Sequence, residues 1–261
     1  MAILISLTDW DILRSPIFLG LENYHELFSS PTFIRILQNT IVFSAIYVIG
    51  VMLSGLFLAV LLNQKLAGTN FFRTAFYTPV VTSAVAVGIV WMWILSPNYG
   101  VLSSILTSLD INPPFWIGDP KIALVTVAVV QVWKMMGYYM ILFLAGLQFI
   151  PETLKEAARI DGANKFQTFS KVTLPLLTPT TFFVLSVSII DSFRSFEIIY
   201  SMTRGGPQNA TNTLVYDVFL NAFVYYRMGY ASAVAFILLA IVALLTSLNF
   251  IMKKHWVEYQ S

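Results

Sequence analysis

Gln131, Lys134, Asp191, Arg194 and Glu197 lie within or beside long apolar runs, where a polar side chain needs a reason. Ionisable groups among hydrocarbon are expensive, so they usually face protein or a water-filled path. Asp191, Arg194 and Glu197 stand three apart, which on one helix gives neighbouring positions and allows local pairing. Lys134 is about one turn from Gln131 and can snorkel or pair across a bundle. Structural pairing and contact with a moving solute are both open readings of these five residues.

A second cluster is polar throughout. The stretch EAARIDGANKFQTFSKVTLP, residues 156–175, separates two hydrophobic runs. Pro151 stands where a helix can begin, because its missing donor costs nothing in the first turn. Glu152 and Glu156 lie towards that start and suit the helix dipole. Ala157 and Ala158 keep one face thin, and Leu154 and Ile160 offer apolar contacts. Gly162 permits a sharp change of direction, after which a second short helix runs through KFQTFSKV to Leu174 and Pro175. The product is a helix–turn–helix projection held near a membrane by both ends. Periodicity alone leaves open whether it is an ordinary basic loop or a docking lever for a partner.

The elements that must position these residues follow from composition. Of 261 residues, 57% are hydrophobic and 11% charged, and the mean hydropathy of +0.77 lies far from soluble usage. Five runs are long enough to cross a bilayer as helices: roughly 40–62, 74–95, 122–147, 176–200 and 231–252. Residues 41–62, IVFSAIYVIGVMLSGLFLAVLL, offer no polar face, which excludes a surface helix of a soluble protein. The first residues, MAILISLT, are too few to span and lack the basic segment and cleavage site of a signal peptide. They read as the tail of a first span that is missing here.

Charge orients the spans. Segments 63–73, 148–175 and 253–261 carry Lys65, Arg73, Lys155, Arg159, Lys165, Lys171, Lys253 and Lys254. The much longer opposite set, 8–38, 96–121 and 201–230, carries only Arg14, Arg35, Lys121, Arg204 and Arg227. The positive-inside bias therefore puts the 148–175 loop and the C-terminus in the cytoplasm. On the outer side, residues 21–39 read as one interfacial amphipathic helix or two short ones broken near Pro31, with Phe33, Ile36 and Leu37 on one side. SPNYG at 96–100, NPPFW at 112–116 and TRGGPQNATN at 203–212 are turn chemistry, and Trp116 suits an interface anchor.

Several functions are excluded or disfavoured. Cysteine is absent, which removes disulfides and thiolate metal sites. His25 and His255 stand far apart without metal-ligand spacing, and a net charge of +2 is too small to suggest nucleic acid. No lysine is followed by Ser or Thr, so the phosphate-gripping GxxxxGK[ST] is missing and ATP hydrolysis must come from elsewhere.

Glu156, Ala157, Ala158, Gly162, Val172, Leu174 and Pro175, at their spacing between two spans, resemble the EAA loop of permease subunits in bacterial ABC importers. Val172 stands where that family often has Ile, and the Ile160-Asp161-Gly162-Ala163 form resembles the carbohydrate-uptake branch. LTDWD at 7–11, LGLENY at 19–24, RTAFYTPVVTSAVAVGIVWMWILSPNYGVLS at 73–103, MTRGGPQNATNTLVYDVFLNAF at 202–223 and GYASA at 229–233 are similar to MalF/UgpA/LacF-type permeases.

The resemblance implies an all-α polytopic membrane bundle with the MetI-like permease fold, here five complete spans plus the tail of a missing first. It implies one permease domain over 1–261, with an external segment at 8–39 and a cytoplasmic coupling loop at 148–175. The expected partners are a second, MalG-like permease, two ATPase subunits that hold ATP and Mg, an extracytoplasmic solute-binding protein, and a carbohydrate in the bacterial inner membrane; no cofactor is expected on this chain. Glu156, Ala157, Ala158, Asp161, Gly162, Leu174 and Pro175 would form the docking loop. A sugar path wants amides and carboxylates beside aromatic plates, which points to Gln131, Trp133, Tyr138, Tyr139, Asp191, Phe193, Phe196 and Tyr200. With 21 Phe, 12 Tyr and 6 Trp in the chain, most rings must nevertheless serve packing or lipid contact. Glycerol-3-phosphate or a polyol is the rival substrate, and a non-transporting receptor or assembly protein made from a truncated permease is the rival of another class.

Overall fold

The computed structural model describes residues 2–11, 13–64 and 68–256, with only the backbone of residues 254–256. Lys65 and the side chains of Lys254 and His255, used above for charge and metal arguments, lie outside the described set. Among the described residues, three helices are long and apolar enough to cross a membrane: Pro31–Leu62, Ala123–Phe149 and Met228–Lys253. Two broken pairs, Thr69–Val81 with Ala84–Ile94 and Lys165–Leu176 with Thr178–Phe193, raise the number to five if each pair is one span. The architecture is thus an all-α, multi-span bundle; its strands are a two-residue antiparallel pair that sets Thr8 against Phe18.

Four expectations need correction. The first long helix begins at Pro31 rather than near 40, so only Glu22–Ser29 is a separate short helix ahead of it. Proline fits a first turn, and the apolar pattern from Phe33 onward gives no reason to stop. The run 74–95 is not one helix but breaks at Thr82 and Ser83, three residues beyond Pro79. The run 176–200 stops at Phe193 and resumes at Glu197, so Asp191, Arg194 and Glu197 do not share one continuous helical face. Finally, the outer connections contain the helix Val101–Ser108 and the apolar helical stretch Leu214–Val224, which their turn-rich flanks had hidden.

Contacts divide the chain into two compact units. One gathers the segments up to Tyr47, from Thr82 to Gln131 and from Asp191 to Leu244. Its core holds Leu27, Phe33, Ile36, Leu214, Tyr230, Ala233 and Val234, with Leu37 packed against it. Phe33 and Ile36 therefore do lie on one buried side, as their spacing predicts.

The other unit comprises Val48–Val81, Val132–Ile190 and the chain from Leu245. Gly137 lies so close to the backbone carbonyl of Phe76 that any side chain would collide with it. Such close approach is how helices associate where lipid removes the hydrophobic drive between them. A polar tie joins the same unit, with the Asn249 amide donating to Ser186 Oγ at 2.8 Å.

Candidate coupling loop and solute-path residues

Residues 151–177 form a sequence of short helices whose ends are satisfied locally. Glu152–Ile160 begins after Pro151 and ends in Asp161 and Gly162. The Gly162 N–H donates to the Arg159 carbonyl at 3.1 Å and the Ala163 N–H to the Ala158 carbonyl at 2.9 Å. These paired bonds are a Schellman ending, which requires a left-handed residue at the turn. Gly162 supplies it, with φ of 87°, and has open space around its missing side chain. Asn164 then opens Lys165–Thr168 with a reciprocal capping box to Gln167, both bonds 2.9 Å. A wider π turn over Phe169–Thr173 carries the chain to Leu174–Leu176, and the following helix departs at 65°.

The helical period sorts the first of these helices into two faces. Glu152, Lys155, Glu156 and Arg159 share one side, and Leu154, Ala157 and Ala158 another. Lys155 pairs with Glu152 at 2.9 Å, and Arg159 approaches it at 3.9 Å. Only Glu152 lies in the first turn, so Glu156 is too far along for the dipole role expected of it. No residue of Glu152–Ile160 is buried. Glu156, Ala157, Asp161, Gly162 and Leu174 are exposed, while Ala158 and Pro175 are half-buried. Ile160 and Phe166, at 86% and 77% exposure, present apolar surface at the turn.

The residues marked for a solute path separate into packing and accessible positions. Tyr139 is fully buried, with its backbone and Cβ against Gly55, and Phe193 is 4% exposed. Tyr138 stands edge-on to Tyr139 at 5.2 Å and, like Trp133, is half-buried. Gln131 is half-buried; its amide nitrogen reaches Ser195 Oγ at 3.5 Å, while its buried Oε1 has no partner among the described residues. Asp191 is half-buried, and its backbone carbonyl accepts from the Ser195 hydroxyl at 3.2 Å. Phe196 and Tyr200 do meet, stacked at 5.5 Å.

Sequence reasoning missed the rings that join them. Tyr216 and Phe219 lie 5.9 and 5.0 Å from Phe196, and Phe223 lies 5.7 Å from Phe219. The period of the short helix, which places 216, 219 and 223 on one side, is the signal that could have found them. Lys134 also has a definite task. It is buried, and its Nζ donates to the Val80 carbonyl at 3.0 Å. That carbonyl belongs to the last turn of Thr69–Val81, where it lacks an intrahelical donor and where the helix dipole favours a cation.

Residues 50–256 match the family described as "Binding-protein-dependent transport system inner membrane component". The chain belongs to that family. It is the permease subunit of an ABC-type importer of the MalF/UgpA-like solute-uptake group, a multi-pass inner-membrane protein that works with a solute-binding protein and ATPase subunits and is not itself the enzyme. The permease is 38% identical over 267 residues to the probable ABC transporter permease YesP of Bacillus subtilis, covering 100% of this chain and 85% of that one. It is 36% identical over 245 residues to the sn-glycerol-3-phosphate permease UgpA of Agrobacterium fabrum, covering 93% and 83%. It is also 34% identical over 238 residues to the xylose/arabinose import permease XacH of Haloferax volcanii, covering 90% and 75%. In fold it resembles a chain of the bacterial alginate ABC transporter crystallised with its alginate pentasaccharide-bound periplasmic protein. The TM-score is 0.84 and the identity 22%, over 93% of this chain and 85% of that one.

Proposed function

We propose that this permease, paired with a second MalG-like permease subunit, forms the path of an ATP-driven sugar importer and that residues 148–175 are its cytoplasmic docking lever. The carrying observation is the loop's construction. A capped, rigid pair of short helices joins two membrane segments and presents both charged and apolar surface, which suits transmission of a displacement from a partner. Glu156, Ala157, Ala158, Asp161 and Gly162 form the docking surface, and Leu174 and Pro175 set the exit into the next membrane segment. ATP and Mg belong to the two ATPase partners. The basic residues of the loop support its cytoplasmic placement, together with that of the C-terminus.

For the path, Gln131, Trp133, Tyr138, Asp191, Phe196 and Tyr200 offer accessible surface to a solute, whereas Tyr139 and Phe193 support them from the core. One relative named for xylose and arabinose supports a sugar, while those named for sn-glycerol-3-phosphate keep that solute as the second reading. The two are separated by uptake in proteoliposomes holding the complete complex, its binding protein, ATP and Mg. Accumulation of labelled sugar unaffected by excess glycerol 3-phosphate supports the sugar importer. Accumulation of glycerol 3-phosphate alone replaces it with the second reading, and accumulation of neither removes both.

A further inference from the structure

A cavity of about 180 Å³ opens between the start of the helix Pro31–Leu62 and the connection 209–230. Both belong to segments that charge places outside the cell. Its polar wall is formed by Ser30, Thr32, Asn212, Asp217 and Asn221, with the Tyr225 ring beside them. Three of these side chains are deeply buried: Asn212 is 2% exposed, Asn221 6% and Asp217 7%. They are not loose surface groups, because long-range bonds fix the wall. The Asn39 amide donates to the Asn209 and Asn212 carbonyls at 2.8 and 3.0 Å, and the Leu214 N–H donates to Thr40 Oγ1 at 2.9 Å. In the same wall the non-glycine residue Asn209 holds φ of 60°, an uncommon conformation, next to Gln208 at 50°.

Asn212 Oδ1 is buried and has no hydrogen-bond partner among the described residues. A buried acceptor left unpaired is costly, so this wall favours the approach of a donor. The wall combines hydroxyls, amides and one carboxylate and holds no Lys, Arg or His. Each hydroxyl of a neutral polyol donates one bond and accepts others, which matches that mixture. An anionic ligand would meet Asp217 in the wall, and the cation behind it, Arg227 over the Tyr230 ring, is already paired with Glu26. A hard metal ion needs six or more oxygen ligands and usually several carboxylates, against the single carboxylate here. At about 180 Å³ the cavity is several times what a single water needs, which gives room for one sugar ring.

We infer that this pocket is an outer docking site for a single neutral sugar ring, held by Asp217, Asn212 and Asn221 and flanked by Tyr225. The inference rests on the sugar-importer reading and adds to it a specific site, separate from the candidate path residues. It also gives the permease itself a means of preferring a neutral sugar over a phosphorylated solute.

The natural absence of cysteine allows a direct test. The complete transporter complex carrying Thr32→Cys is alkylated with a maleimide in nanodiscs, and modification of this chain is followed by mass spectrometry. The probes are D-xylose, D-glucose, glycerol 3-phosphate and calcium chloride. Slowing of alkylation at least fivefold by one of the sugars, and by neither of the other probes, is expected. The protection should require about tenfold more sugar once Asp217→Asn is added. Equal protection by glycerol 3-phosphate or calcium chloride, or none by either sugar, overturns the site. Sugar uptake by the same complex, measured in parallel, separates the two claims. Uptake with an unprotected thiol refutes the pocket and leaves the importer standing, whereas loss of both refutes both.

Discussion

The loop 151–177 and the connection 203–230 both join membrane helices, yet they are held by different means. The first is ordered from within. Its caps are bonds between residues three to five apart, Gly162 to Arg159, Ala163 to Ala158 and Asn164 with Gln167, and its leading helix buries nothing. The second is ordered from within and from without. Local bonds such as Thr211 Oγ1 to the Gly206 carbonyl shape it, but Thr211, Asn212, Thr213, Asp217 and Asn221 are all buried, and further bonds tie it to Asn39 and Thr40, some 170 positions away. A segment that keeps its shape by local bonds can present an exposed leading helix and turn to a partner and move as a body. One that shares bonds with a distant helix is part of that helix's packing and is suited to a fixed site.

Gly162→Val gives the largest expected effect on function. A β-branched residue at φ of 87° is strained by about 1–2 kcal/mol or more, although nothing crowds the position. ATPase-coupled uptake should fall at least tenfold while the thermal midpoint of the permease falls by only about a few degrees, because the strain is confined to one exposed turn. A large loss of stability together with normal coupling would invert the comparison.

Thr40→Val should do the reverse. It preserves shape but leaves the buried Leu214 N–H unpaired, at a cost of about 1–3 kcal/mol. Thermal unfolding should show the loss, and ATPase docking measured by co-purification should not.

The third expected effect, confined to one pH window, is a pH dependence of the buried segment. Burial pushes Asp217 up to about 6, against hydrogen bonds from Asn212 and Asn221 that pull it down. The folded protein thus binds this proton more tightly than the unfolded chain, whose carboxyl titrates near 3.8. The associated stability is present below about pH 4 and is lost as pH rises through about 6. At roughly 1.4 kcal/mol per pKa unit the amplitude is about 3 kcal/mol. Asp217→Asn should flatten the unfolding midpoint across this window, as followed by scanning calorimetry of the complex.

This difference also explains what could be read from the sequence. Locally ordered features carried local signals. Pro151, Gly162 and the break near Pro31 mark real boundaries, and the apolar lengths of 122–147 and 231–252 mark real spans. Breaks within uniformly apolar sequence did not announce themselves. Pro79 hinted at one, but VVTSAVAV reads smoothly across Thr82 and Ser83, and Phe193 to Glu197 shows no glycine or proline. The wide turn at Phe169–Thr173 has no residue signature of its own. The pocket was invisible because its wall depends on Asn39 meeting Asn209 and Asn212, a relation no window of sequence contains. The role of Lys134 was half legible, since its burial demanded a partner but only the break after Val81 exposed the carbonyl that serves.

The central claim is that the turn at 160–163 engages the ATPase. Ile160 is 86% exposed at that turn, and the chain has no cysteine of its own. The decisive measurement is site-specific crosslinking of the Ile160→Cys complex in membranes, scored by mass spectrometry. The account predicts a crosslink to an ATPase subunit and protection from membrane-impermeant thiol reagents added outside. Labelling from the outer side, or no ATPase crosslink in an actively transporting complex, would contradict it.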